Sequence, residues 1–195
     1  MSDHRRAVFM DRDGVIIENR ADYVRSWDHV SILPGAVEAL ARLAATGFAV
    51  VLVTNQSSIG RGLMTAAAVE AINRRLQGVI EAGGGRIDAI YTCPHRPDDG
   101  CACRKPAPGM LLQAAGDLGL SLPGSYMVGD AISDIQAGQA AGATAILVLS
   151  GRGRAQLETP RPAGVRPFHI VPDLGEAVAL ILALEAASGW PQREA

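Results

Sequence analysis

No run of apolar residues in this sequence is long enough to cross a bilayer, so a membrane-spanning protein is not expected. Nor is there an excess of one charge. Eighteen basic and 20 acidic residues are interspersed along 195 positions for a net charge of −2, which leaves no electrostatic footprint for nucleic acid. The opening residues, Met1 to Arg6, are not followed by the apolar stretch of a secretory leader, which makes the cytoplasm the expected compartment. Cysteine is scarce. The three present, Cys93, Cys101 and Cys103, fall close together with His95 among them, and an odd count in so tight a cluster argues for metal rather than disulfides. Internal repeats and low-complexity segments are also absent. What remains is a 48% hydrophobic chain, enough for a proper core, whose length predicts one domain over 1–195.

Short apolar runs alternate with amphipathic ones along the chain. Ala7 to Met10 reads as a buried strand, and Phe48 to Val53 as a second. Asp88 to Thr92, Tyr126 to Val128 and Thr144 to Leu149 follow in the same style, with Phe168 to Val171 as an edge strand. Between them, helices are predicted after Leu33-Pro34-Gly35, from Thr65 to Ala82, from Pro108 through Leu118, and from Ser133 to Ala141. A last helix carries Ala177, Leu180, Ile181 and Leu184 behind an Asp173 cap. Ile16 to Ser31 and Ser150 to Pro167 read as loops. Strands alternating with helices predict an α/β fold with a parallel, doubly wound sheet. No insertion between these elements is large enough for a separate cap domain.

Polar residues recur where strands end. Asp11 and Asp13 follow the first strand, Thr54 and Asn55 the second, and Asp130 with Asp134 the fourth; Lys105 precedes a helix. In an open parallel sheet these positions converge on one edge, where ligands bind. Two carboxylates held together repel unless a cation or proton compensates them. Three acids suit Mg²⁺, which takes a couple of carboxylates, waters and substrate phosphate oxygens. A lysine and a hydroxyl would neutralise the remaining phosphoryl charge, and an aspartate in such a site can act as nucleophile. The second cluster, Cys93, His95, Cys101 and Cys103, has the composition of a closed Cys₃His tetrahedral Zn²⁺ site. With no open position, that zinc would be structural, stapling the loop 93–103 that presents Arg104 and Lys105.

Asp11-Arg12-Asp13-Gly14, Thr54-Asn55-Gln56, Lys105-Pro106 and Gly129-Asp130 resemble, in order, the four motifs of the haloacid dehalogenase-like phosphatases. The resemblance implies that Asp11 is the nucleophile and Asp13 the general acid/base, with Thr54 and Lys105 holding the transferring phosphoryl group. It implies Mg²⁺ on Asp11, the backbone carbonyl of Asp13, and Asp130, with Asp134 supporting them from behind. Arg12, Asn55, Gln56, Ser57, Arg104 and Lys105 are the expected substrate contacts. The string from Cys101 through Arg104-Lys105-Pro106 to Pro108-Gly109-Met110 narrows the resemblance to the D-glycero-D-manno-heptose 1,7-bisphosphate 7-phosphatases of lipopolysaccharide heptose synthesis. The implied partner is a small phosphorylated sugar, with no nucleic acid or membrane, and a monomer is expected. Two positions depart from that family. Val15 stands where Thr is usual, and Ala131 where many of these enzymes have Lys, so that contact is either absent or supplied by Arg61 or Arg152.

Two rival readings remain at this point. Histidinol-phosphate phosphatases share the zinc loop and the Arg-Lys-Pro string. Phospho-receiver domains, which are not enzymes, also combine an acidic pocket with Thr and Lys on a doubly wound sheet. Receivers take phosphoryl on an aspartate after the third strand, whereas Asp11 follows the first and is accompanied by Asp13.

Overall fold

A computed structural model of the chain describes residues 5–188. Six strands form one parallel sheet: β1 (Arg6–Met10), β2 (Ala49–Asn55), β3 (Ala89–Cys93), β4 (Ser121–Gly129), β5 (Thr144–Val148) and β6 (His169–Val171), in the order β3-β2-β1-β4-β5-β6. The order reverses between β1 and β4, and a crevice forms at the carboxyl ends of strands where that happens. Among the described residues, seven α-helices connect and flank the sheet: α1 (Ala36–Ala44), α2 (Ser57–Gly60), α3 (Ala66–Ala82), α4 (Gly109–Leu118), α5 (Ile132–Ala141), α6 (Gly153–Glu158) and α7 (Leu174–Ser188).

Side chains alternate across a strand, and here both faces are covered, which is why the central strands read as unbroken apolar runs. Val8, Met10, Val50, Leu52 and Val128 face one layer built from α1, α3 and α7. Ala7, Phe9, Val51, Val53 and Met127 face the other, built mainly from Met110, Leu111 and Ala114 of α4 and Ala137 of α5. The α3 helix starts at Thr65, whose hydroxyl accepts from the Ala68 amide at 3.1 Å. It buries Val69, Ile72, Leu76 and Ile80 at helical spacing, with one polar residue, Asn73, in the same stripe. At the far end of the chain α7 is tied to β1: buried Glu185 pairs with Arg6 and accepts from the Tyr126 hydroxyl at 2.6 Å.

The observed elements depart from the predicted ones in three places. β4 begins at Ser121 rather than Tyr126, because Pro123 and Gly124 sit in an irregularity where pairing with β1 jumps from Arg6↔Ser121 to Val8↔Tyr126. Such residues read as punctuation in a sequence but are tolerated at a bulge. The segment read as a loop from Ser150 contains α6, which buries only Gly153 and so leaves no hydrophobic period to detect. The short α2 likewise follows β2 where no helix is predicted. Between β1 and α1, and between β2 and β3, no cap-sized unit is inserted among the described residues.

Candidate active site at the carboxyl edge of the sheet

β1 ends at Met10, so Asp11 is the first residue past the sheet, its amide bonded to the Val128 carbonyl of β4 at 3.0 Å. The chain then turns sharply. Gly14 has φ +83°, and a Cβ there would lie 2.1 Å from Oδ2 of Asp130, so both conformation and space demand glycine. That close approach is what lets the β1 and β4 loops share one site. Gly129 is needed for the same reason, since a Cβ there would lie 2.2 Å from that of Asp134.

Asp11, Asp130 and Asp134 are all buried, and ligand oxygens from the three lie within 4.8 Å of one another. Lys105, the only lysine in the chain, enters this cluster from the opposite side. Its Nζ lies 3.1 Å from Oδ1 of Asp11 and 2.7 Å from Oδ1 of Asp134, and it donates to the Val53 carbonyl at 2.8 Å. Burial alone would drive the ammonium toward neutrality, but the two carboxylates outweigh it and hold its pKa above the usual lysine value. Asp134 is pushed the other way for an acid: burial raises its pKa, Lys105 pulls it back, and Asp11 and Asp130 add to the rise. Its other oxygen accepts from the Ala131 amide at 3.0 Å, capping α5. Asp130 is met by Arg152, whose Nη2 lies 3.0 Å from Oδ1 and whose amide donates to Oδ2 at 2.9 Å; Asn19 adds a bond at 3.2 Å.

Asp13 faces a cavity of about 780 Å³ together with Asp11, Lys105, Arg104 and Asp134. Its pKa is raised, chiefly by burial and further by Asp11, against the lowering effects of Arg12 and Gln56. Gln56 bridges two of the predicted residues, donating from Nε2 to Asp13 at 2.8 Å and to Oγ1 of Thr54 at 2.9 Å. Thr54 and Asp130 are buried just behind the cavity lining. Ser57 lines the cavity and Arg104 stands at its edge, donating from Nη1 to the His95 carbonyl at 3.1 Å. Arg61, Arg20 and Arg152 border the same cavity.

Two side chains expected at the substrate are engaged elsewhere. Arg12 is only 1% exposed, and its guanidinium is taken up by Asp13 and by Asn73 of α3. Asn55 uses both atoms of its amide on the Lys105 backbone, donating to the carbonyl and accepting from the N–H, each at 3.1 Å. Arg12 holds Asp13 from outside the cavity lining, whereas Asn55 lines the cavity while its amide holds Lys105. Sequence reasoning misses Asn73 because it lies inside a helix stripe; it names Arg152 only as a substitute for a substrate contact, and the grip of Arg152 on Asp130 comes from the segment read as a loop. Lys105 is marked by the Lys105-Pro106 string ahead of a helix, in order with the other three motifs.

The cysteine loop lies next to this edge. The three Sγ atoms are 3.3, 3.4 and 3.7 Å apart, and Nδ1 of His95 is 3.3 Å from Cys103 and 3.6 Å from Cys93. Four ligands about 2.3 Å from a tetrahedral ion stand about 3.8 Å apart, so these atoms have nearly the spacing of a metal shell. Burial pushes the Cys93 thiol up to about 12, a cost that a bound cation would remove. The loop is fastened to the site: Gln56 and Gly60 donate backbone bonds to the Cys93 and Pro94 carbonyls at 2.8 and 2.9 Å.

A carboxylate pair after the first strand, a lysine opposed to it and a further acid after the fourth, all on the edge of a 3-2-1-4-5-6 parallel sheet, are the arrangement that the resemblance to haloacid dehalogenase-like phosphatases implies. A family model described as "HAD-hyrolase-like" matches residues 102–177. The chain is 42% identical, over 91% of its length and 98% of the relative's, to D-glycero-beta-D-manno-heptose-1,7-bisphosphate 7-phosphatase of Pseudomonas aeruginosa. It is 43% identical to the D-glycero-alpha-D-manno-heptose-1,7-bisphosphate 7-phosphatase of Mycobacterium tuberculosis, over 76% of this chain and 81% of that one. Its fold superposes with a TM-score of 0.85 on the crystal structure of D,D-heptose 1.7-bisphosphate phosphatase from B. bronchiseptica complexed with magnesium and phosphate, at 39% identity over 92% of this chain and 99% of that one. The chain belongs to the D-glycero-D-manno-heptose-1,7-bisphosphate 7-phosphatase family. Neither histidinol-phosphate phosphatase nor a receiver domain is favoured by these likenesses.

Proposed function

We propose that this protein removes the 7-phosphate of D-glycero-D-manno-heptose 1,7-bisphosphate, leaving the 1-phosphate for heptose assembly into lipopolysaccharide precursors. The observation that carries the reading is the juxtaposition of Asp11, Asp13 and Lys105 in one cavity, with Arg104 beside them. A carboxylate oxygen of Asp11 attacks phosphorus, and the bond from phosphorus to O7 breaks as the new one forms. The electron pair leaves on O7, which takes the proton of Asp13; the raised pKa of that acid keeps the proton available. Water then attacks the aspartyl phosphate, giving its proton to Asp13, and releases phosphate and free Asp11. Lys105 and Thr54 stabilise the phosphoryl oxygens throughout, while Asp134 and Asn55 hold Lys105.

The donor set also fits a hard divalent cation. Three buried carboxylates face one another and, among the described residues, are ion-paired only with Lys105 and Arg152, an excess of negative charge made of oxygen ligands. Mg²⁺ would be held by Asp11, the Asp13 carbonyl and Asp130, where it would neutralise phosphoryl charge and orient the oxygens. Zn²⁺ would be held by Cys93, His95, Cys101 and Cys103 as a structural staple, because all four positions are filled by protein. Unpaired thiols that serve as metal ligands suit a reducing cytoplasm, and a site built wholly from one chain suits a monomer.

The two anomers of the heptose bisphosphate, assayed beside histidinol phosphate for Mg²⁺-dependent phosphate release, test the reading. Preference for either heptose anomer, with the product still carrying its 1-phosphate, is expected. Faster release from histidinol phosphate, or loss of the 1-phosphate first, would overturn it.

A further inference from the structure

Arg12 stands between the two aspartates of the β1 loop, and nothing in the proposed chemistry uses it. Its guanidinium is almost wholly enclosed. Nε donates to Oδ2 of Asp13 at 3.1 Å and Nη2 to Oδ1 at 3.1 Å, a two-pronged grip that fixes the plane of the carboxylate. The remaining outward prong, Nη1, donates to Oδ1 of Asn73 at 2.8 Å. Asn73 is 4% exposed and sits in the stripe that α3 otherwise fills with Val69, Ile72, Leu76 and Ile80. A buried amide in an apolar stripe is costly unless it has a partner, and the Arg12 guanidinium is that partner. Gln56 holds Asp13 from a second side at 2.8 Å.

We propose that Asn73 is a positioning residue: through Arg12, it sets the orientation of the acid Asp13 toward the leaving oxygen. The inference rests on the reading of Asp13 as proton donor given above. A planar guanidinium is rigid, so its rotation about the Asp13 carboxylate is decided by whatever holds its third prong. Without Asn73 the fork is free to turn, and the donor tilts away from the geometry that proton transfer needs. The fault would be specific. A sugar alkoxide needs a proton to depart, whereas a nitrophenolate leaves without one.

The test compares phosphorylation of the enzyme by heptose 1,7-bisphosphate and by p-nitrophenyl phosphate in single-turnover experiments, in wild type, Asn73→Leu and Asn73→Asp. Leucine keeps the branching at Cγ but offers no acceptor; aspartate keeps an acceptor for Nη1. Asn73→Leu is expected to slow phosphorylation by the heptose substrate at least tenfold, with KM within twofold and the nitrophenyl reaction within twofold. Asn73→Asp is expected to recover most of the loss. Equal slowing on both substrates, or no slowing on either, would refute the relay while leaving the proposed function standing. Should Asn73→Leu fail to fold, Asn73→Ser decides in its place, since its hydroxyl is too short to reach Nη1. Wild-type protein that hydrolyses the nitrophenyl ester but not the heptose would refute the substrate instead, and the relay is then read on whichever alkyl phosphate the enzyme does accept.

Discussion

Replacing Lys105 by methionine removes the cation that bridges Asp11 and Asp134. The side chain is 1% exposed, so solvent does not screen its contacts. At an effective dielectric of about 20, attractions at 2.7 and 3.1 Å amount to about 6 and about 5 kcal/mol, opposed by several kcal/mol for taking the ammonium out of water. Removing one partner of such a buried cluster leaves the acids uncompensated, which costs about 3 to 5 kcal/mol. For a chain of this size, that corresponds to a fall in Tm of roughly 6 to 20 °C. The assay is thermal unfolding in buffer free of Mg²⁺, at several pH values. Without Lys105, Asp134 loses the partner that lowers its pKa, and burial leaves its folded value above the ordinary carboxylate value. Its contribution is then fully present below that ordinary value and is lost as the pH rises through the folded value. The deficit against wild type should therefore be widest near neutral pH and shrink as the solution is acidified toward pH 4 or so. Added Mg²⁺ should also narrow it, because a cation bound to the folded state alone stabilises it. A deficit below about 1 kcal/mol, or one that does not change with pH, would refute the reasoning.

Because Lys105 is the sole lysine, lysine-specific ¹⁵N labelling reports it alone, and its Nζ should remain protonated above pH 10.5; a midpoint below that value would contradict the double ion pair. Asp11→Asn should lower kcat by about three orders of magnitude or more while circular dichroism stays unchanged, since an amide is a poor nucleophile. Cys103→Ser should reduce bound zinc, measured by elemental analysis of protein purified without added metal, and lower Tm and activity together, because Cys103 adjoins Arg104 and Lys105. A zinc-free variant with unchanged melting would count against the staple. Arg104→Ala should cut kcat/KM by roughly ten- to a hundredfold on the bisphosphate, about 1.5 to 3 kcal/mol for one charge-assisted contact, and less on a monophosphate.

Much of the catalytic edge was legible in the sequence because its logic is local. A buried parallel strand is a short apolar run, and the residue after it is presented at the site whatever the rest of the fold does. Asp11, Asp13, Thr54 and Asp130 could be picked out on that ground, and the Cys and His spacing within 93–103 carried its own chemistry. What each side chain at this edge holds was less legible, as Arg12 and Asn55 show. Their neighbours in sequence touch the cavity, but which way each side chain turns depends on partners distant in the chain: Asn73, 61 residues away, and Lys105, 50 residues away.

The sequence by itself therefore determined the order of the strands and of the helices with an apolar stripe, the two-sided burial of the sheet, and the identities of the acids, the lysine and the thiols. Those follow from periodicity and from residue types whose chemistry does not depend on context. Only the tertiary structure decided that Asp134 grips Lys105, that Arg152 reaches Asp130 from a segment with no hydrophobic signature, and that a helix residue holds the guanidinium beneath Asp13. It also decided the bulged start of β4 and the glycine at position 14, which makes room for Asp130. In each case the cause is a contact across a long loop of chain. The sign of such a contact depends on burial and distance, neither of which a linear pattern of residues contains.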